Sequence, residues 1–323
     1  MNACKADVAP IPKAVPFVSV VMIFLNGEPF IQEAIDSVLG QTFQNFELIL
    51  VDDGSTDESS QRCARLAELS QGRIFYLEHD GHQNRGMSAS RNLGIRAARG
   101  QIIALIDSDD FWRPNKLSEQ LAILQRFPEV DMVCGAVNYW SSWRGGTDEI
   151  VVTGHVHDMP IKPPEASLAL YPLGKACSPC PSDLLLRRQA VFDVGLFEEH
   201  FTGPYSLYED QGFLSKLYVS STVFFSSRIW LDYRIHENSC VAVVHRDGQY
   251  QKVRNYFLNW SARYLKTIDT HPARSVAKET ARAAFYSNYS WFFQTIWRPI
   301  EVLKKVLRRA KKASQRFVRT AGE

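Results

Sequence analysis

No run of about 18 apolar residues occurs in the chain, so no membrane-spanning helix is expected. The opening stretch through Pro16 is rich in proline and alanine and has no continuous apolar segment, so no secretory signal is expected either. No Gly-x-Gly-x-x-Gly turn follows the first apolar run, and the dinucleotide-binding fingerprint is therefore missing. Neither sign of charge dominates: 37 Lys and Arg stand against 35 Asp and Glu, a net charge of +2, which selects no class of partner. There are only six cysteines, most of them scattered through apolar or helical-looking sequence, a usage that suits a reducing compartment. Cys177-Ser-Pro-Cys180 has C-x-x-C spacing, but no second ligand pair completes a zinc site. The strand-to-helix context of a thioredoxin-like redox motif is absent as well. No internal repeat is visible.

The 323 residues allow one or two domains with a full core. A composition of 45% hydrophobic and 22% charged residues is that of an ordinary globular protein. Strand and helix patterns alternate over the first hundred-odd residues. Phe17 to Leu25 is a continuous apolar run ending in the turn cluster Asn26-Gly27-Glu28-Pro29. Phe30, Ile31, Ala34, Ile35, Val38 and Leu39 recur at helical spacing, with Gly40 placed to end the helix. A strand over Phe46–Val51, a helix through about Leu69, a strand over Ile74–Leu77, a helix over Met87–Ala98 and a strand over Ile102–Ile106 complete the series. This order predicts an α/β fold, a mostly parallel sheet with helices on both faces. From about Pro128 to Ala242 the pattern is irregular, with a strand over Val130–Tyr139 and helices near Arg188–Val194 and from Glu209-Asp210. Beyond Tyr250 it turns helical, with Val253, Tyr256, Phe257, Trp260 and Tyr264 placed on one face.

Two of the strands end in carboxylates, Asp52-Asp53 and Asp107-Ser108-Asp109-Asp110. In a parallel sheet both ends lie on the carboxyl edge, where open α/β folds place ligands. Paired aspartates in a tight turn suit a hard cation such as Mg²⁺ or Mn²⁺, which often shares its oxygen ligands with a substrate phosphate. A nucleotide base bearing N–H donors would satisfy Asp53. Between the two ends, Asn84 to Asn92 supplies Gly86 and a helix start for an anion, and Arg85 or Arg91 is placed to engage a diphosphate. The same acidic turns read plainly as helix caps, Asp110 being the most cap-like of its group.

The ordered set of blocks resembles the family 2 glycosyltransferases of the GT-A fold. The matching residues are Ser19-Val20-Val21 with Asn26, Val51 to Asp57, Gly86-x-Ser88-x-Ser90-Arg91-Asn92-x-Gly94-Ile95, and Asp107 to Asp110. Further on they are Pro181-Ser182 through Leu186-Arg187-Arg188, Gly195-Leu196-Phe197 and Glu209-Asp210-Gln211. The resemblance covers about residues 17 to 240. It implies a Rossmann-like GT-A domain over 17–245, a leader over 1–16, and a helical extension with a basic amphipathic tail over 246–323.

The resemblance further implies that Asp53 hydrogen-bonds the base of a UDP- or GDP-type sugar donor and that Asp107 meets its ribose or metal-bound groups. Asp109 binds Mg²⁺ or Mn²⁺ at the diphosphate, and His236 in Tyr233-Arg234-Ile235-His236 stands near that metal. Arg91, Phe24 and Glu28 fall on the nucleotide-sugar side. Relatives often carry Pro-Thr-Tyr where this chain has Ile23-Phe24-Leu25, so base contacts there are expected to be backbone or apolar. Asp210 is the expected general base, taking the proton of a carbohydrate or lipid-linked acceptor hydroxyl opposite the leaving group, with inversion at the anomeric carbon; Glu209 sits on the acceptor side. The role this implies is surface polysaccharide or glycoconjugate assembly.

Ile300, Leu303, Val306, Leu307, Ala310, Ser314 and Phe317 follow helical spacing among eight Lys and Arg side chains, after an aromatic stretch that includes Trp291 and Trp297. A basic amphipathic helix of this kind lies on anionic membranes, which makes a cytoplasmic protein peripheral at the membrane face. No nucleic-acid-binding module accompanies the charge. Two rival readings are a nucleotidyltransferase, for which Asn26 to Pro29 is a poor phosphate loop, and a non-catalytic homologue acting as a membrane-associated scaffold.

Overall fold

The computed structural model describes residues 15–289, in two compact units that divide between Gln249 and Tyr250. The basic segment from Ile300, the aromatic stretch from Trp291 and nearly all of the expected leader lie outside the described residues.

The first unit opens with β1 (Val18–Phe24), α1 (Ile31–Leu39), β2 (Phe46–Asp52), α2 (Ser59–Leu69), β3 (Ile74–Glu78), α3 (Met87–Ala97) and β4 (Ile102–Asp107). It continues with β5 (Phe111–Trp112), α4 (Lys116–Arg126), β6 (Val130–Trp140), β7 (Glu149–Val151), β8 (Pro160–Ile161) and α5 (Glu165–Ala169). β9 (Leu185–Arg187), α6 (Arg188–Asp193), α7 (Glu209–Leu217), β10 (Thr222–Arg234) and α8 (Cys240–Arg246) complete it. The main sheet runs β3-β2-β1-β4-β9-β6-β10-β5. Its first four strands are parallel, as the alternation predicts. The short β9 then inserts antiparallel between β4 and β6, and β5 closes the far edge antiparallel to β10.

β1 shows why helices cover both faces. Val18, Val20, Met22 and Phe24 point into one core with Ile31, Ala34, Ile35 and Val38 of α1. Val21 and Ile23 point into the other, with Ile95 of α3 and Phe213, Leu214 and Leu217 of α7. Side chains of a strand alternate in direction, so a strand buried on both faces reads as one apolar run. α3 lies close on the sheet: a Cβ on Gly94 would stand 2.5 Å from Val21 Cγ1.

Two features depart from expectation. β10 is a 13-residue strand paired parallel to β6, in a region where the pattern is irregular. Its apolar run is interrupted at Ser226, Ser227 and Arg228, and the pairing register shifts between Phe225 and Ile229, so period-two alternation breaks in mid-strand. Asp110 caps no helix: α4 starts at Lys116 with Asn115 before it. Instead Asp110 is buried against β10, where its Oδ1 accepts from the backbone N–H of Arg234 at 3.0 Å.

The second unit contains α9 (Tyr250–Leu265) and α10 (His271–Asn288), linked where the Gln251 amide donates to Ser287 Oγ at 2.8 Å. Val253 and Phe257 of α9 are buried. The half-buried Trp260 continues the same face, 6.5 Å from the Phe257 ring and stacked 5.2 Å from Tyr264. Among the described residues no helix is long and apolar enough to cross a membrane.

Candidate active site

Strand register creates the site. Phe24 stands opposite Asp52 on one side of β1, and Ile23 stands opposite Asp107 on the other. Both acidic strand ends therefore leave the sheet at one edge, flanking the end of β1.

The turn after β2 is held from several directions. Asp52 is fully buried; its Oδ1 accepts from Ser55 N–H at 2.8 Å and its Oδ2 from the Tyr76 hydroxyl at 3.0 Å. It shapes the turn, while the next residue, Asp53, faces the cleft. Asn26, in the left-handed region at φ 53°, accepts from Thr56 N–H at 2.7 Å and donates its own N–H to Ser55 Oγ at 2.9 Å. This staples the end of β1 to the second turn. Gly54 has φ +85°, and a Cβ there would lie 2.8 Å from Asn84 N, so close packing and backbone conformation both require glycine. Asp53 accepts the N–H groups of Arg85 at 2.8 Å and Gly86 at 3.0 Å, which fixes the start of α3 beside it.

α3 then carries Arg91 between the two other acidic groups. Its guanidinium donates to Asp107 Oδ1 at 2.6 Å and, through Nη1, to Glu209 Oε1 at the start of α7. Arg91 is 2% exposed. Burial disfavours its charge, but the carboxylates of Asp107 and Glu209 outweigh that and hold it protonated beyond the ordinary arginine range. Its charge is thus shared by two carboxylates. Arg85 contributes its backbone N–H to Asp53, while its exposed side chain lines a neighbouring hollow with His79 and Arg96.

Burial raises the remaining acids in graded fashion. It pushes the Glu209 carboxyl up, against the pull of Arg91. It lifts Asp210 to about 6, opposed by the Gln211 N–H that donates to its Oδ1 at 2.6 Å. Asp107 is raised by burial and then by the charge of Asp109, although Arg91 opposes both; its N–H donates to Ser182 Oγ at 3.0 Å. Asp110 is driven well above the carboxylate range by burial and by its two acidic neighbours, and its Oδ2 has no hydrogen-bond partner. Asp109 Oδ2 meets His236 Nε2 at 2.9 Å, and the His236 ring packs on Phe30 at 5.3 Å.

Phe24, Asp53, Arg91, Asp107, Asp109, Glu209, Asp210 and His236 all line one cleft of about 410 Å³. Glu28 does not line it; that residue is exposed, and its N–H donates to Asp57 Oδ2 at 2.9 Å. The wall also includes Ser206, Leu207 and the run Asn238 to Val241, which carried no sequence signal beyond turn and helix-cap residues. Ser239 caps α8 by accepting from Ala242 N–H at 3.3 Å. Among the described residues, no three His, Cys, Asp or Glu side chains are grouped to enclose a metal by themselves. Asp107, Asp109 and His236 line the same cleft without being gathered round one point, and Mg²⁺ and Mn²⁺ usually take only one or two carboxylates and complete their shell with phosphate and water.

The model of glycosyl transferase family 2 matches residues 19–190 of this chain. An uncharacterized glycosyltransferase of Nostoc, alr2836, is 30% identical over 177 residues, covering 55% of this chain and 52% of that protein. This chain spans 27% to 64% of the length of the curated relatives it resembles. Two solved structures share its fold, that of the GT-A glycosyltransferases. Residues 1–349 of TarS from S. aureus, in complex with UDP-GlcNAc, superpose with a TM-score of 0.61 at 19% identity, covering 86% of this chain and 76% of that one. The mannosyltransferase PcManGT from Pyrobaculum calidifontis, in complex with GDP-Man and Mn²⁺, gives a TM-score of 0.54 at 17% identity, covering 94% and 83%.

Proposed function

This chain belongs to glycosyl transferase family 2, and we infer its reaction from that membership together with the geometry of its cleft. Its cleft binds a nucleoside-diphosphate sugar and passes the sugar to an acceptor hydroxyl, with inversion, in the assembly of a polysaccharide or other glycoconjugate. The observation that carries this reading is the convergence of Asp53, Asp107, Asp109 and Asp210 from separate elements on one cleft. Nucleotide-sugar complexes of structures with the same fold support the donor class.

Asp53, fixed by two backbone N–H groups, presents its carboxylate to the base, and Phe24 closes that end with an apolar ring. Asp107, aimed by Arg91 and Ser182, faces the ribose side. Asp109 and His236, with Asp107, are the residues that would hold a divalent ion. When bound, such an ion neutralises charge on the diphosphate oxygens. Asp210 takes the acceptor proton at Oδ2 as the hydroxyl oxygen bonds to the anomeric carbon and the bond from that carbon to the diphosphate oxygen breaks. A carboxyl pushed up to about 6 is ionised at neutral pH yet more basic than an ordinary aspartate, as a general base requires. Glu209, buried against Arg91, steadies the turn that carries Asp210 and marks the acceptor side.

Calorimetry of UDP and GDP with and without Mn²⁺, followed by a screen for hydrolysis of nucleotide sugars, tests this reading. Metal-strengthened binding of one nucleotide and hydrolysis of its sugar conjugate are expected. Absence of any nucleotide binding would leave a scaffold role and overturn the enzyme reading. The basic residues from Lys304 to Arg319 support a second proposal, that the chain rests on the anionic cytoplasmic face of a membrane. Flotation with anionic liposomes should be lost on truncation after Trp297; equal flotation would reject it.

A further inference from the structure

A second buried guanidinium touches the acidic turn after β4, and the expected chemistry gives it no part. Arg234, at the end of β10, is 3% exposed. Three aromatic rings surround its guanidinium: Trp140 at 4.3 Å, Phe30 at 4.7 Å and Trp143 at 5.1 Å. Its Nη2 donates to Glu33 on α1 at 2.5 Å, which balances the charge. Its Nε donates to the backbone carbonyl of Asp109 at 2.7 Å, and its backbone N–H donates to Asp110 Oδ1 at 3.0 Å.

The geometry of these bonds is selective. An arginine beside three aspartates would ordinarily pair with a carboxylate. Here the cage and Glu33 turn the fork so that its Nε grips the peptide of Asp109 and leaves that carboxylate to His236 and the cleft. Phe30 links the two halves, since its ring faces both the Arg234 guanidinium and the His236 imidazole.

We propose that Arg234 is the positioning residue of the metal-binding turn: clamped among Phe30, Trp140 and Trp143, it fixes the backbone at Asp109 and so aims that carboxylate at the cation. The inference rests on the reading of Asp109 as a metal ligand. It predicts that lysine will not replace Arg234, because an ammonium cannot fill the cage and bond Glu33 and the Asp109 carbonyl together.

The test is calorimetry of UDP and GDP binding, each with Mn²⁺ and with EDTA, on the full chain and on Arg234→Lys, Glu33→Gln and Asp109→Asn, with melting curves for all four. Partners behind a metal ligand commonly change metal affinity by about 10- to 100-fold, so Arg234→Lys should lower the Mn²⁺-dependent strengthening of nucleotide binding at least tenfold. Binding in EDTA should be unchanged. Glu33 is half exposed on its own helix, so Glu33→Gln should fold normally and lower the same strengthening by about threefold, the scale of one partly exposed charged contact. Strengthening lost in Asp109→Asn but intact in Arg234→Lys and Glu33→Gln overturns the proposal and leaves the metal reading standing. If Arg234→Lys does not fold, an undiminished strengthening in Glu33→Gln alone overturns it. No strengthening in the unaltered chain overturns the metal reading and this proposal with it.

Discussion

Replacing Arg91 with methionine tests the largest electrostatic commitment at the site. The substitution keeps an unbranched side chain of similar reach beside Phe197, so packing changes little. It removes the only positive charge within hydrogen-bonding reach of Glu209 among the described residues. Glu209 is 3% exposed at its side chain and Asp107 25%, so water cannot substitute on the Glu209 side. Breaking a buried ion pair by deleting one partner costs about 3–5 kcal/mol, because the survivor keeps its desolvation penalty. At about 2–4 °C per kcal/mol for a domain of this size, the melting point should fall by roughly 6–20 °C.

Differential scanning calorimetry on the unaltered chain, Arg91→Met, Glu209→Gln and the double variant measures this directly. The double variant should lose less than the two single losses added together, since it leaves no buried carboxylate at position 209. A melting point for Arg91→Met within about 2 °C of the unaltered chain would show that the pair contributes under about 1 kcal/mol. Losses additive to within about 0.5 kcal/mol would show that the two groups do not couple. Either result refutes the account of Arg91 as the counter-ion that seats Glu209 and Asp107.

Asp210→Asn should lower turnover by about 10²–10⁴-fold, the usual contribution of a positioned base, without a comparable loss of nucleotide binding. In the unaltered chain the base works only when deprotonated, so turnover should fall as pH drops through about 6 and lose tenfold per unit below it; a flat profile from pH 7 to 5 would exclude Asp210. His236→Ala should weaken Mn²⁺-dependent nucleotide binding by about tenfold, as loss of a group holding Asp109 would; unchanged calorimetric binding would remove His236 from the site. Gly54→Ala forces a side chain into a left-handed turn and against the Asn84 backbone, and should cost at least about 1–3 kcal/mol in urea denaturation.

What was legible in the sequence was local. Each of β1, β2 and β4 is an apolar run long enough to need burial on both faces, and α1 repeats its apolar residues at helical spacing. The carboxylates that end β2 and β4 share an edge because parallel strands in one layer must place their ends together. The unread parts depend on distance along the chain. Arg91 and Glu209 are 118 residues apart, and nothing in either neighbourhood states that one will bury against the other. Arg234 looks like one more arginine in a polar loop until Phe30 arrives from the start of α1 and Trp140 and Trp143 from the end of β6 and the turn after it. Asp110 reads as a helix cap because a carboxylate in a turn before a helical pattern usually is one. Only the arrival of β10 makes it a buried acceptor.

The sorting of charge at this edge follows from which carboxylate each compensating group can reach. Asp53 is met by two backbone N–H groups, Glu209 and Asp107 by Arg91, and Asp110 by the backbone of Arg234. Each of those bonds ties a carboxylate to a different element, so none is free to turn. Asp109 is left with His236 on one oxygen, and Asp210 with Gln211 next door in the sequence; among the described residues no hydrogen bond reaches Asp109 Oδ1. Asp109 thus faces the cleft with an oxygen to spare, and Asp210 is held there only by its own sequence neighbour. Asp109, at the more exposed turn, is placed for a cation that can bring its own water and phosphate. Asp210, buried and raised, is placed for a proton. A site in which all six carboxylates were neutralised by fixed donors would fold as well and have neither capacity, so the incomplete compensation is the feature that separates this edge from a structural salt-bridge cluster.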